Sequence, residues 1–310
     1  MITCLAGGVG AARLLEGLDK IVEEHDQELT VVVNTGDDEE FFGLHISPDI
    51  DIITYTLAGI VEPERGWGIR GDTFACLDML EKLGCETWFK LGDRDMAIHI
   101  YRTWKLRDGA TLSQVTAEIA AKLGARHKII PMSDDPVKTH IKTPTGLLPF
   151  QRYFVEREAR DEVLDVVYVG ADRARPAPGV IDSIIGAEGV IICPSNPIVS
   201  IGTILAVPGV REALRKTPGK VLAVSPIIGG ATVKGPADKM MRGLGIEVSA
   251  AGVAKLYKDF LDIYVMDEQD AELREKVQSM GVEVHITNTL MRSLEDKKRL
   301  AKTCLELLGL

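Results

Sequence analysis

A run of glycines stands between the first apolar stretch and the first helical one, and no other feature limits the fold as sharply. Ile2 to Ala6 is apolar but for Thr3, Gly7-Gly8-Val9-Gly10 turns, Ala11 to Val22 repeats apolar residues at helical spacing, and Leu29 to Val33 is rich in β-branched residues. Strand, glycine turn, helix and strand make a βαβ unit, whose two strands lie parallel. Short apolar strands recur at Val163 to Val169, Val190 to Cys193, Val221 to Val224, Leu261 to Met266 and Val282 to Ile286. Helical segments such as Asp182 to Ala187, Val210 to Lys216 and Ala271 to Met280 alternate with them. This alternation predicts an α/β fold: a Rossmann-like, mainly parallel sheet with helices on both faces.

The pattern changes after the second strand. Helices are expected at Asp72 to Leu83, Met96 to Trp104 and Leu112 to Leu123, the last capped by Thr111. Thr139 to Lys142 and Gly146 to Pro149 read as a hairpin turning at Thr143-Pro144-Thr145. The expected organisation is a core of residues 1–40 and 160–310 with an inserted, mostly helical lobe at 41–159. No repeat or low-complexity linker separates them, so the lobe should pack on the core.

Composition narrows the function. Of 310 residues, 45% are apolar and 26% charged, enough for a large core and too apolar for disorder. The formal net charge of −10 argues against nucleic acid or an anionic membrane as partner, because both need clustered Lys and Arg. A polyanionic small molecule must therefore meet local dipoles, a metal or a few chosen cations. No apolar run approaches the roughly 18 residues of a membrane span, and Met1-Ile2-Thr3-Cys4-Leu5 lacks a signal-peptide pattern, so a cytoplasmic location is expected. The five cysteines are odd in number and contain no Cys-x-x-Cys pair, which disfavours disulfides and zinc. An apolar C-terminal helix over Leu300 to Leu308 can cover the core or a second copy, so a homo-oligomer stays open.

In such sheets ligands sit at the carboxyl ends of strands, where the strand order reverses. Gly7, Gly8, Val9 and Gly10 follow the first strand and lead into a helix, where amides and the helix dipole favour phosphate; a plain tight turn is the alternative. A dinucleotide site is disfavoured, because the second strand ends in Asn34-Thr35 and not in an acid for a ribose. Asp37, Asp38, Glu39 and Glu40 follow, either a solvated acidic turn or carboxylates that face the ligand across a divalent cation. Mg²⁺ suits the second reading, being a hard ion that binds carboxylate and phosphate oxygens. Asp49 and Asp51 come next; one of them can cap a helix, but hardly both. Trp67, within Glu64 to Asp72, can stack on a planar ring or sit in a surface loop. Lys90 and Arg94 are local cations for a polyanion, while Asp93 or Asp95 can serve as an N-cap. Ser195 and Asn196, then Ser225 and Pro226, end consecutive strands with small polar groups; turn chemistry explains their prolines, and a nucleotide site across the sheet edge explains their recurrence.

Leu5 to Arg13, Val33 to Asp38, Pro48 to Asp51, Arg65 to Gly68, Leu91 to Asp95, Pro194 to Pro197 and Ser225 to Gly229, taken in this order, closely resemble the 2-phospho-L-lactate transferase family over nearly the whole chain. The resemblance implies an enzyme of coenzyme F-420 biosynthesis, found in methanogenic archaea and some bacteria. Such an enzyme joins a guanosine-diphosphate-activated three-carbon acid, lactyl or phosphoenolpyruvyl, to 7,8-didemethyl-8-hydroxy-5-deazariboflavin, with Mg²⁺ and release of GMP. It further implies catalytic roles for Asp37, Asp38, Asp49 and Asp51, with Asp37, Asp38 and Asp49 as metal ligands. Asp51, Trp67, Lys90, Asp93 and Arg94 would bind the deazaflavin, with the inserted lobe supplying that site. Gly7, Gly8, Val9, Gly10, Asn34, Thr35, Ser195, Asn196, Ser225 and Pro226 would bind the nucleotide. The rival is a related group of non-enzymatic sugar-nucleotide-binding regulators, which share the glycine loop and the Asn-x-x-Asp-Asp segment. The Arg65 to Gly68 and Leu91 to Asp95 segments favour the transferase.

Overall fold

The structure, a computed structural model, describes residues 1–24, 27 and 29–310. The chain opens with β1 (Ile2–Ala6), α1 (Gly8–Glu24) and β2 (Leu29–Val33). α1 starts inside the glycine run and not at Ala11, so amides of the run belong to its first turn, which has no intrahelical acceptors. A small hairpin, β3 (Glu39–Phe41) and β4 (Leu44–Ile46), leads to α2 (Pro48–Leu57), α3 (Ala75–Lys82), α4 (Asp93–Arg107) and α5 (Leu112–Leu123). Next come β5 (Lys128–Pro131), β6 (Lys138–Thr143), β7 (Gly146–Pro149) and β8 (Asp165–Val169). The second half runs α6 (Val180–Ile185), β9 (Gly189–Ile192), α7 (Ile201–Ala206), α8 (Val210–Lys216) and β10 (Lys220–Val224). It continues through the short strands β11 (Ile227–Ile228) and β12 (Ala231–Thr232) to α9 (Ala237–Gly243) and α10 (Ala250–Tyr257). It closes with β13 (Ile263–Asp267), α11 (Arg274–Gln278), β14 (Glu283–Thr287) and α12 (Leu294–Leu308).

Seven strands form the main sheet in the order β14-β13-β10-β9-β1-β2-β5, and each adjacent pair is parallel. From β1 the chain advances outward through β2 to β5, then returns to β9 and advances the other way to β14. The order therefore reverses between β1 and β9, the crevice where such sheets hold ligands. Successive residues of β1 face opposite cores: Cys4 joins α1, α2 and α12 on one side, Leu5 the residues of α6 to α10 on the other.

Two expectations need correction. β5 lies inside the 41–159 segment expected as a lobe, yet it pairs with β2 as the edge strand of the main sheet. Its apolar run, Ile129-Ile130, is too short to stand out by periodicity. Conversely Val163 to Val169, expected in the parallel sheet, forms β8 of a three-stranded antiparallel sheet with β6 and β7. β8 leaves Val167 and Val169 exposed, whereas β1 and β2 are buried throughout. An apolar run does not say which sheet will cover it. Among the described residues no helix is long and apolar enough to cross a membrane, and all five cysteines are free.

Candidate active site

The carboxyl ends of β1, β2, β9, β10 and β14 open into one cavity of about 450 Å³. Its floor is Gly7, Gly8, Val9 and Gly10. Gly8 has φ of +72°, and a Cβ there would meet only Asp49 Oδ1, at 3.9 Å. Gly10 is tight for another reason: its Cβ would lie 2.2 Å from the carbonyl oxygen of Pro194, on the loop after β9. Ser195 Oγ accepts the Gly7 N–H at 3.2 Å, tying the two loops together.

Asp37 and Asp49 line the cavity and are buried. Asp49 sits in the first turn of α2 but caps nothing; its carboxylate accepts from Asn34 Nδ2 at 2.9 Å and from the Gly8 amide. Burial pushes the Asp49 carboxyl up to about 6. Burial, and then the Asp49 charge, push Asp37 well above the usual carboxylate range. Asp37 Oδ1 is buried without a hydrogen-bond partner. Two mutually repelling acids with an orphaned oxygen, beside a phosphate-sized glycine turn, suit a hard divalent cation. Asp38 is buried as well but lies in a separate cleft with Thr35, His45 and Lys138. Its Oδ2 accepts from Ser47 Oγ at 2.8 Å and contacts His45 Nε2 at 2.9 Å. Of the three carboxylates expected at one metal, Asp37 and Asp49 line this cavity, whereas Asp38 lines the separate cleft, its Oδ2 held by Ser47 and His45 and its Oδ1 buried without a partner.

A second polar cluster rises from α2 and α4. Asp51 is bound through both oxygens by Arg102, a fully buried guanidinium. His99 stands between them, Nδ1 3.2 Å from Arg102 Nη1 and Nε2 3.4 Å from Asp95 Oδ1. Tyr55 donates to Asp95 at 2.5 Å. Burial pushes Asp51 up against the pull of Arg102 and His99. Burial pushes Asp95 up too, but His99, Tyr55 and Arg102 together hold it below its ordinary value. Asp51, Tyr55, Asp95 and His99 all line the cavity. Sequence reasoning missed Tyr55, His99 and Arg102, although Asp95, His99 and Arg102 recur at the spacing of one helix face, which is legible in principle.

Lys90 lines the cavity beside Trp88, Phe89 and Phe154; Trp67 lines it too, with Arg65 stacked 5.0 Å from its ring centroid. Asp93 and Arg94 do not line it. Asp93 is in the first turn of α4 but serves α3, accepting from the amides of Ala75 at 3.1 Å and Cys76 at 2.8 Å. Asp72 returns the arrangement, accepting from the amides of Arg94 and Asp95. Free first-turn amides explain both acids. Arg94 is exposed and reaches the Arg70 carbonyl at 3.4 Å. Asn196 and Ser225 line the cavity while closing their own turns, Asn196 through the amides of Ile198 and Val199. Pro226 lines it as well. Asn34 does not; it bridges Asp49 and the Gly36 amide, and Thr35 is buried with its hydroxyl unpartnered.

Fold and cavity define the class: an α/β protein of Rossmann-like strand order whose ligand cavity lies at the switch point. A family model described as 2-phospho-L-lactate transferase CofD matches residues 2–302. A 2-phospho-L-lactate transferase of Methanosarcina mazei is 44% identical over 96% of this chain and 97% of its own. That of Methanocaldococcus jannaschii is 41% identical over 100% and 98%, and a phosphoenolpyruvate transferase of Kitasatospora aureofaciens is 42% identical over 99% and 97%. A Bacillus halodurans protein of the UPF0052 family shares the fold, with TM-score 0.66 over 98% of both chains at 14% identity. The chain belongs to the 2-phospho-L-lactate transferase family, and it is a transferase.

Proposed function

We propose that the chain moves a phospholactyl or phosphoenolpyruvyl group from a guanosine-diphosphate-activated donor to the ribityl terminal hydroxyl of 7,8-didemethyl-8-hydroxy-5-deazariboflavin, releasing GMP. The observation that carries this reading is the convergence, in one cavity, of the glycine turn, the Asp37–Asp49 pair and Lys90 with its aromatic neighbours. The relatives' names cover both acid groups and leave the donor's acid open.

In the reaction the hydroxyl oxygen bonds to the phosphorus that carries the three-carbon acid. The bond from that phosphorus to the bridging oxygen breaks, and its electron pair leaves with GMP. The Val9 and Gly10 amides, in the first turn of α1, and the α1 dipole hold the diphosphate. Asp51, oriented by Arg102, takes the hydroxyl proton; its raised affinity for a proton suits a base. Lys90 and the aromatic side chains beside it hold the planar acceptor and exclude water. Asp37 and Asp49 would hold Mg²⁺, which when bound neutralises diphosphate charge.

Titrating the protein with the deazaflavin and following its fluorescence, with and without GDP, tests the reading. Binding of both ligands together, with turnover once activated donor is added, is expected. A protein that binds GDP and ignores the deazaflavin would be a nucleotide-binding regulator instead.

A further inference from the structure

Two cations at the cavity are used by nothing described so far. Arg13 lies on α1 one turn beyond Gly10, and Lys234 lies between β12 and α9; both line the cavity. Arg13 Nη1 donates to the Met291 carbonyl at 3.4 Å, and Lys234 Nζ to the Arg65 carbonyl at 3.0 Å. Neither has a carboxylate at ion-pair distance among the described residues. The segment that Lys234 grips rests on the glycine turn, since a Cβ at Gly66 would lie 2.9 Å from Val9 Cγ1. The two charges also feel each other: burial, and then Arg13, lower the Lys234 ammonium's affinity for its proton.

Their place along the sheet edge gives them a role. The acids stand on the side of β2 and α2, whereas Arg13 and Lys234 stand with Ser225, Thr289 and Met291 at the ends of β10 and β14. An in-line displacement puts the attacking and leaving oxygens on opposite sides of the phosphorus. Half-buried Arg13 and exposed Lys234, with no carboxylate to hold them among the described residues, are free to meet an arriving anion, and cations act most strongly where negative charge develops. We propose that Arg13 and Lys234 clamp the phosphate that departs with the nucleoside, stabilising the charge that builds on the bridging oxygen as its bond to the transferred phosphorus breaks. This assignment rests on the donor reading above.

The test uses Lys234→Met, at an exposed position between β12 and α9, and Arg13→Gln, with calorimetric titration by GDP and by inorganic pyrophosphate in Mg²⁺. Each variant should lose about 10- to 100-fold in affinity for both, as expected for a hydrogen bond to a charged group, and its turnover should fall. Deazaflavin affinity should be unchanged, and Lys234→Arg should recover most of the pyrophosphate affinity. Wild-type affinity for pyrophosphate and GDP in both variants would overturn the clamp. Pyrophosphate binding that depends on Arg13 and Lys234, without any GDP binding, would keep the clamp and sink the guanine donor. A wild-type protein that binds neither would sink both.

Discussion

Gly8 and Gly10 are glycine for different physical reasons, and their variants should separate. At Gly8 the backbone is left-handed, with φ of +72°, and the side-chain direction opens toward the cavity. Gly8→Val should remove GDP affinity in calorimetry while costing only about 1–2 kcal/mol of stability for the left-handed residue. At Gly10 a side chain meets the Pro194 backbone first, so Gly10→Val should lower the melting temperature along with affinity. Lost phosphate room alone, the expectation from the motif, would leave the two variants alike. Asp49 and Asp37 add a pH signature. Their protons are held more tightly in the fold than in the unfolded chain, Asp49 to about 6, so their contribution to stability without metal is present at low pH and fades as pH rises through that value. A cation must displace those protons, so Mg²⁺ should raise the melting temperature at pH 7.5 and do little at pH 5. An equal effect at both would take the metal away from this pair. Asp93→Ala should lose about 1 kcal/mol through the end of α3 with kinetics intact, whereas Lys90→Ala should raise the KM for the deazaflavin with little loss of stability.

Among the elements, α4 has an unusual inner face. It buries Asp95, His99 and Arg102, along with Met96 and Thr103, where a core helix ordinarily buries hydrocarbon. Arg102 holds Asp51 across from α2, so the two helices are locked by charge at the point where the acceptor would sit. Breaking a buried pair leaves a bare charge, so Arg102→Met should cost about 3–5 kcal/mol. Asp51→Asn bares the Arg102 charge in turn, so it should lose stability as well and in addition lower turnover by about 10²- to 10⁴-fold, which rate measurements well below the melting temperature resolve. α12 shows the opposite economy. Its Leu300, Ala301, Cys304, Leu305 and Leu308 are buried against the α1 side of the sheet, so this apolar face covers the chain's own core. The helices cross at Gly17, where a Cβ would stand 2.3 Å from the Lys297 carbonyl. Gly17→Ala should therefore destabilise by about 1–3 kcal/mol despite the higher helix propensity of alanine. A more stable variant would mean that α12 is free to shift.

For the whole molecule, the site is distributed. The cavity draws on residues from Gly7 to Met291, supplied by α1, α2, α4, the loops that carry Asp37, Trp67 and Lys90, the segment after β7 and four loops of the second half. A ligand held by so many elements binds the folded chain only, and at a concentration of 100 times Kd it should add about 2.7 kcal/mol. Scanning calorimetry with saturating GDP should show the midpoint rising by several degrees in a single transition. An early transition left unmoved by GDP would mean that the second-half loops do not share the site.

The glycine turn, the apolar strands flanking it and the alternation beyond Val190 were enough by themselves to specify a parallel α/β sheet, because backbone strain and hydrophobic period are local properties of the chain. Thr111 was legible as the cap of α5 for the same reason, and its capping box with Gln114 is formed. Which sheet β5 and β8 joined was decided by tertiary packing, since a short apolar run pairs with whatever edge the fold presents. The same holds for charge. Sequence alone could name Asp37, Asp38, Asp49, Asp51, Asp93 and Asp95 as acids near strand and helix ends. Only the fold separated the carboxylates that face the cavity from Asp93, which satisfies free amides, and Asp38, which faces Ser47 and His45. A carboxylate's role depends on which donors and charges lie within a few ångströms of it, and folding brings those from residues far away in the chain.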